Sequence, residues 1–173
     1  MMTSVIHNPV DHPPYIGLGP GQFASIPPLL PYNPGEWVLL SDMVYTDLAG
    51  TLHVVPKYFV TDLASIPWVV EPVFRSIDSR LPGVLHDWTY CVRQAPRGTC
   101  DLLLAEALRV TGCDRVRERL IYAGVRAGGW YRYNQRTAGP QREDFAWEYM
   151  TLAETARYEA SYLRTDTGGH GDR

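Results

Sequence analysis

Lysine is nearly absent from this chain, cysteine is scarce, and no long apolar run interrupts it. Lys57 stands alone against fifteen arginines, a bias read first as the codon usage of a GC-rich genome. The three cysteines, Cys91, Cys100 and Cys113, are too few and too odd in number for a disulfide scaffold. Synthesis in a reducing cytosol is therefore expected. No stretch approaches the ~18 apolar residues that a membrane-spanning helix needs, so no membrane span is expected. The opening MMTSVIHNPVDHPP has no basic segment leading into an apolar one, and no secretory signal is expected. A formal net charge of −3 argues against a dedicated nucleic-acid binder that relies on bulk positive charge. The phosphate-binding Gly-Lys loop, G-x-S-x-G, paired Cys-x-x-Cys and H-E-x-x-H patterns are also missing. The string GLGPG at 17–21 is broken by proline.

What is present suffices for one compact domain. The 173 residues are 45% hydrophobic and 20% charged, as in ordinary globular proteins. Charge is uneven: residues 1–74 carry one basic and six acidic side chains, residues 75–173 fifteen and thirteen. Eight of the fourteen prolines fall in residues 1–35. Proline fixes φ and lacks an N–H, so neither a long helix nor a central strand fits there. Because the same stretch carries Tyr15, Ile16, Phe23, Leu29 and Tyr32, it reads as an extended arm, either loose or laid along a neighbouring surface.

From Trp37 the pattern changes. WVLL, MVYT, TLHVV and KYFVT read as short strands around a turn at Asp47–Gly50, a small antiparallel β unit over 37–61. Helices are expected at Gly83–Gln94, between Pro82 and Pro96, and in DLLLAEALRV, opened by Thr99 or Cys100 and ended by Gly112. A third fits Arg115–Ala127, ended by Gly128-Gly129. A last helix is expected over 142–163, where Phe145, Tyr149, Leu152, Ala156, Glu159 and Leu163 are spaced 4-3-4-3-4. Trp147, Tyr158 and Tyr162 lie off that stripe and are expected to face a partner. The tail 165–173 is polar and glycine-rich, hence expected to fray. The fold class expected is α+β: a single domain over 36–164, its β unit packed against three or four helices, with the proline-rich N-terminal arm over 1–35.

Three places have the residue types of a site. Asp62 follows the last expected strand, flanked by the hydroxyls of Thr61 and Ser65. The ordinary reading is that such side chains serve loop backbone N–H groups; the sharper one is a functional carboxylate. In His86-Asp87-Trp88-Thr89-Tyr90, His86 and Tyr90 share one helix face. A part-buried histidine beside a carboxylate is a general-base arrangement, because the carboxylate orients the ring and stabilises the imidazolium. Asp101 lies on the apolar stripe of the next helix with Leu104, Ala105 and Leu108, where a carboxylate needs a partner. It either caps the helix or pairs with His86, and one residue can do both. Between Arg109 and Arg142 there are eight arginines against two acids, with Trp130, Tyr131 and Tyr133 among them. This reads as a solvated face or a subunit contact, and less readily as a phosphate surface.

Together, VPKYFVTDLASIPW, GVLHDWTY, the Asp101 helix and IYAGVRAGGW resemble an uncharacterised family, a domain of unknown function common in bacteriophage and prophage genomes. Its pattern is VPxGFxTDLASxP, HDWxY, an Asp-led helix and an arginine–glycine–aromatic segment. Tyr58 departs from it, standing where the family usually has glycine. The resemblance covers about residues 37–133 and implies a phage origin. The pair HDWTYC and CDLLLAEAL also resembles the helix pair of secreted phospholipases A2. That likeness implies His86 as the base that activates water, Asp87 as a metal ligand, and Tyr90 and Asp101 as its support. No glycine-rich calcium loop precedes His86, so Asp62 becomes a candidate oxygen ligand for Ca²⁺ or another divalent cation.

Two functions are expected on these grounds. The first is a virion-associated structural or accessory protein of a phage tail or tail tip, made in the host cytoplasm. It would contact other virion proteins in an oligomeric assembly, with Asp62, His86, Asp87 and Asp101 as a polar network that fixes the fold. The second is a small phage-encoded hydrolase acting on lipid or cell-wall material through His86, Asp87 and Asp101, with or without a metal. Nucleic acid is not an expected partner.

Overall fold

A computed structural model describes residues 5–6, 19–63, 77–135 and 139–163. Ser65, most of the arm before Gly19 and the tail 165–173 lie outside the described residues. The chain order is β1 (Val5–Ile6), β2 (Gln22–Phe23), β3 (Leu29–Pro31), β4 (Trp37–Leu39), β5 (Met43–Thr46), β6 (Leu52–Val55) and β7 (Val60–Thr61). The helices α1 (Ile77–Val92), α2 (Arg97–Val110), α3 (Arg115–Gln135) and α4 (Leu152–Tyr162) follow. The fold is α+β.

The strands form two sheets, in the orders β1-β6-β5-β2 and β3-β4-β7. All pairings are antiparallel except the parallel pair β1–β6. The β5–β6 hairpin turns at Asp47–Gly50 as expected. Gly50 takes φ +85, which a Cβ would resist, and Asp47 Oδ1 accepts the Thr51 N–H at 2.7 Å. Register then sorts the side chains. Met43 pairs with Val55 and Val44 with Val54, so one face carries Met43, Tyr45 and Val55 into the main core. The other face carries Val44, Leu52 and Val54 into a smaller cluster. The described part of the arm lies extended along these sheets: Phe23 pairs with Tyr45, and Leu29–Pro31 forms the edge strand beside β4. An edge is where a proline-containing strand is tolerated.

Helix α1 is the centre of the molecule. Every residue from Pro82 to Cys91 is buried, so the helix is enclosed on all sides rather than along one stripe, and its polar His86, Asp87 and Thr89 must find partners inside the protein. Its start corrects the expectation of a helix beginning after Pro82. Pro82 lies within the helix, and its burial offsets the one i→i−4 bond it forfeits. Helix α3 likewise runs through Gly128-Gly129 to Gln135 instead of stopping there, because its last turns pack: Tyr133 OH donates to Ala95 O at 3.1 Å. Gly112, at φ +87, does end α2.

The single helix expected over 142–163 is replaced by 3-10 turns at Arg142–Asp144 and Trp147–Tyr149 and the shorter α4. Thr151 caps α4 through a reciprocal box with Glu154. The face is different as well. Leu152 is 91% exposed, whereas Tyr158 and Tyr162, expected to face a partner, are 2% and 5% exposed. They close an aromatic cluster with Trp88, Phe59 and Phe145. A stripe spaced for one continuous helix loses its meaning once 3-10 turns break the period. Among the described residues, no helix is long and apolar enough to cross a membrane.

Candidate functional site

The four-residue connector Arg93–Pro96 folds α2 back beside α1 and brings His86, Tyr90 and Asp101 together. Asp101 sits on the fifth residue of α2, with Pro96 at the cap position, so the capping alternative is excluded and the pairing one holds. The carboxylate is fully buried, with 0% exposure. Its Oδ1 pairs with His86 Nε2 at 3.0 Å and accepts the Tyr90 hydroxyl at 2.6 Å. Its Oδ2 accepts Arg126 Nη1 at 2.8 Å. Burial works to raise the Asp101 pKa, but the donors His86, Tyr90 and Arg126 outweigh it and hold it below the usual carboxylate value. An ionised carboxylate can only accept, so His86 Nε2 carries a proton toward Asp101. Burial, then the bond to Asp101, pushes the Tyr90 phenol up, so it remains a donor.

Asp87 faces a different neighbour. Its Oδ2 accepts the Thr61 hydroxyl at the end of β7, and Thr61 Oγ1 in turn accepts the Leu63 N–H at 2.9 Å. Gly83 allows this approach, since a Cβ there would meet the Leu63 carbonyl at 2.9 Å. The loop that holds Asp62 is thereby clamped onto α1, and Leu63 takes φ +61 within it. Among the described residues, no group of three or more His, Cys, Asp or Glu is placed to hold a metal ion. Asp62 and Asp87, the ligands expected for a divalent cation, are not part of such a group among the described residues.

Two participants escaped the sequence reading. Arg126 belongs to the arginine-rich stretch 109–142, yet it completes the Asp101 pairing from 25 residues away. Gly129 has the propensity of a helix end, yet its missing side chain admits the Tyr90 ring. Their signal lay in the arginine–glycine–aromatic segment RAGGW, whose spacing now has a physical reading: the arginine holds Asp101 and the glycine makes room for Tyr90. The pattern's glycine at position 58 is explained too. Tyr58 takes φ +68, the left-handed conformation that glycine adopts at least cost.

Compared with known families, residues 37–125 match a model described as a protein of unknown function, DUF1353. The match covers just over half of the chain. The chain belongs to the DUF1353 family. The span shared with DUF1353 opens at β4 and takes in Thr61, His86, Asp87, Tyr90 and Asp101. It stops one residue short of Arg126. No curated protein and no solved structure matches the chain.

Proposed function

We propose that this chain is a hydrolase in which His86 takes a proton from water while Asp101 holds its ring. The observation that carries this reading is the threefold pairing on a fully buried carboxylate. With Nε2–H directed at Asp101, Nδ1 is the ring atom that would accept a proton in the neutral form of His86. Asp101 then faces the imidazolium formed on proton uptake, and Tyr90, packed against His86 with ring centroids 4.1 Å apart and planes tilted by 45°, restricts its motion. Lipid esters are the first substrate class, following the likeness to the phospholipase A2 helix pair, and cell-wall material is the second. A panel of such substrates tests the reading. His86→Gln should abolish turnover while unfolding stability stays near that of the parent. Equal loss of both, or no turnover by the parent on any substrate, would leave the polar network as a structural element only.

A second reading, a component of a bacteriophage particle such as its tail or tail tip, is favoured by α3. Val116, Leu120, Ala123, Ala127 and Trp130 follow each other at spacings of 4-3-4-3, all exposed, with Tyr131 beside them. That is the spacing of a seam for a partner helix. The two readings are compatible, since an enzyme can travel in the particle. Mass spectrometry of purified particles tests the second, and absence of the chain would count against it.

A further inference from the structure

A cavity of about 230 Å³ lies between the tip of the β5–β6 hairpin, the end of α1 and the first turns of α2. It belongs to neither the Asp101 pairing nor the α3 seam. Its walls include His53, Thr89, Val92, Ala95, Cys100 and Leu103, and its rim carries the exposed Gln94 and Thr99. The pocket opens to solvent at this rim, while its lining is mainly apolar.

His53, Thr89 and Cys100 in the walls each make a bond within the protein. His53 Nε2 is paired with Asp47 Oδ2 at 2.9 Å, and Asp47 Oδ1 accepts the Thr51 N–H. The Thr89 hydroxyl donates to His86 O at 2.9 Å. The Cys100 thiol lies 3.8 and 3.7 Å from the carbonyls of Thr89 and Ala95, and burial pushes its pKa up, so it stays protonated. Asp47 lines the cavity as well, but His53 and the Thr51 N–H already hold its two oxygens, so a charged ligand entering here would shed its hydration for a counter-charge already in use. An apolar one loses nothing of the kind. Since a dry apolar cavity of about 150 Å³ accepts benzene, this one has room for a substituted ring or a short hydrocarbon chain.

We infer that the cavity is a binding pocket for a small, uncharged, apolar ligand. The ligand would brace the seam between α1 and α2, because Thr89 bonds the carbonyl of His86 and Cys100 immediately precedes Asp101. Binding does not require His86 to be catalytic, so it should persist in His86→Gln.

The test uses the full chain and four probes: 1-hexanol, benzyl alcohol, hexanoate and hexylammonium. The two alcohols should give saturable amide shifts at Val92, Cys100 and Leu103 in a nitrogen–proton correlation spectrum. At concentrations near a hundred times Kd they should raise Tm by about 5–10 °C. The two ions should do neither. Leu103→Trp and Ala95→Leu fill the space, and whichever folds should abolish the shifts. Absence of saturable shifts with both alcohols overturns the inference. So does binding that survives the filling variants, or equal binding of the charged probes.

Discussion

The Tyr90 hydroxyl oxygen lies 2.7 Å from where a β-carbon on Gly129 would sit, and two atoms of its ring lie at 3.4 Å. No Cβ fits there while Tyr90 keeps its bond to Asp101. Gly129→Ala should therefore push the phenol aside and lower stability by about 1–3 kcal/mol. The cost should shrink in a Tyr90→Phe background, where the nearest atom is gone. A double-mutant cycle by urea unfolding measures this coupling, and additive losses would contradict it.

Asp101 makes the fold sensitive to acid. Its pKa in the folded protein is lowered, so the stability it contributes is present above its unfolded value of about 3.9 and is lost as pH falls below that. Asp101→Asn should cost about 2–4 kcal/mol at neutral pH. It should also flatten the decline in stability below about pH 4. Unfolding midpoints of the two proteins from pH 7 to pH 3 check both parts.

Arg126 tunes the histidine through the carboxylate they share. Its guanidinium stands 2.8 Å from Asp101 Oδ2 and draws charge away from the oxygen facing His86. Arg126→Gln should leave Asp101 a stronger partner for protonated His86, moving the acid limb of the pH–rate profile to higher pH. Arg126→Lys should move it less. An NMR titration of the His86 ring reads the same change without a substrate, and an unmoved midpoint would remove Arg126 from the mechanism.

Tyr58 trades backbone strain for packing. The left-handed backbone costs about 1–2 kcal/mol. Its buried ring packs edge-on against Tyr158, and its hydroxyl donates to Glu154 at 3.0 Å. Removing a large buried ring costs about 3–5 kcal/mol. Tyr58→Gly should thus destabilise by about 1–4 kcal/mol despite relieving the strain, and Tyr58→Phe by about 0.5–1.5 kcal/mol. Chemical denaturation of both variants decides whether packing outweighs strain.

The features legible in the sequence were those carried by neighbours along the chain. The Asp47–Gly50 turn, the stop of α2 at Gly112 and the shared face of His86 and Tyr90 all depend on residues within one or two turns of each other. The apolar stripe around Asp101 was legible for the same reason, and a carboxylate on such a stripe announces a missing partner. Local pattern failed where a residue had two local meanings. Gly128-Gly129 signals a helix end by propensity, but a helix continues through glycine when tertiary packing offsets the entropic cost.

By itself, then, the sequence determined the α+β class, the order of the main helices and the short-range half of the site. Only the tertiary structure decided that Arg126 completes the pairing on Asp101 and that Thr61 clamps Asp87. It also decided that Tyr158 and Tyr162 face the core while the outer stripe of α3 faces outward. The reason is physical. Turns and helix ends are set by backbone sterics and nearby hydrogen bonds, which one stretch of chain contains. Burial and charge pairing depend on which surfaces meet, and residues far apart in the chain acquire those neighbours only when the whole chain has folded.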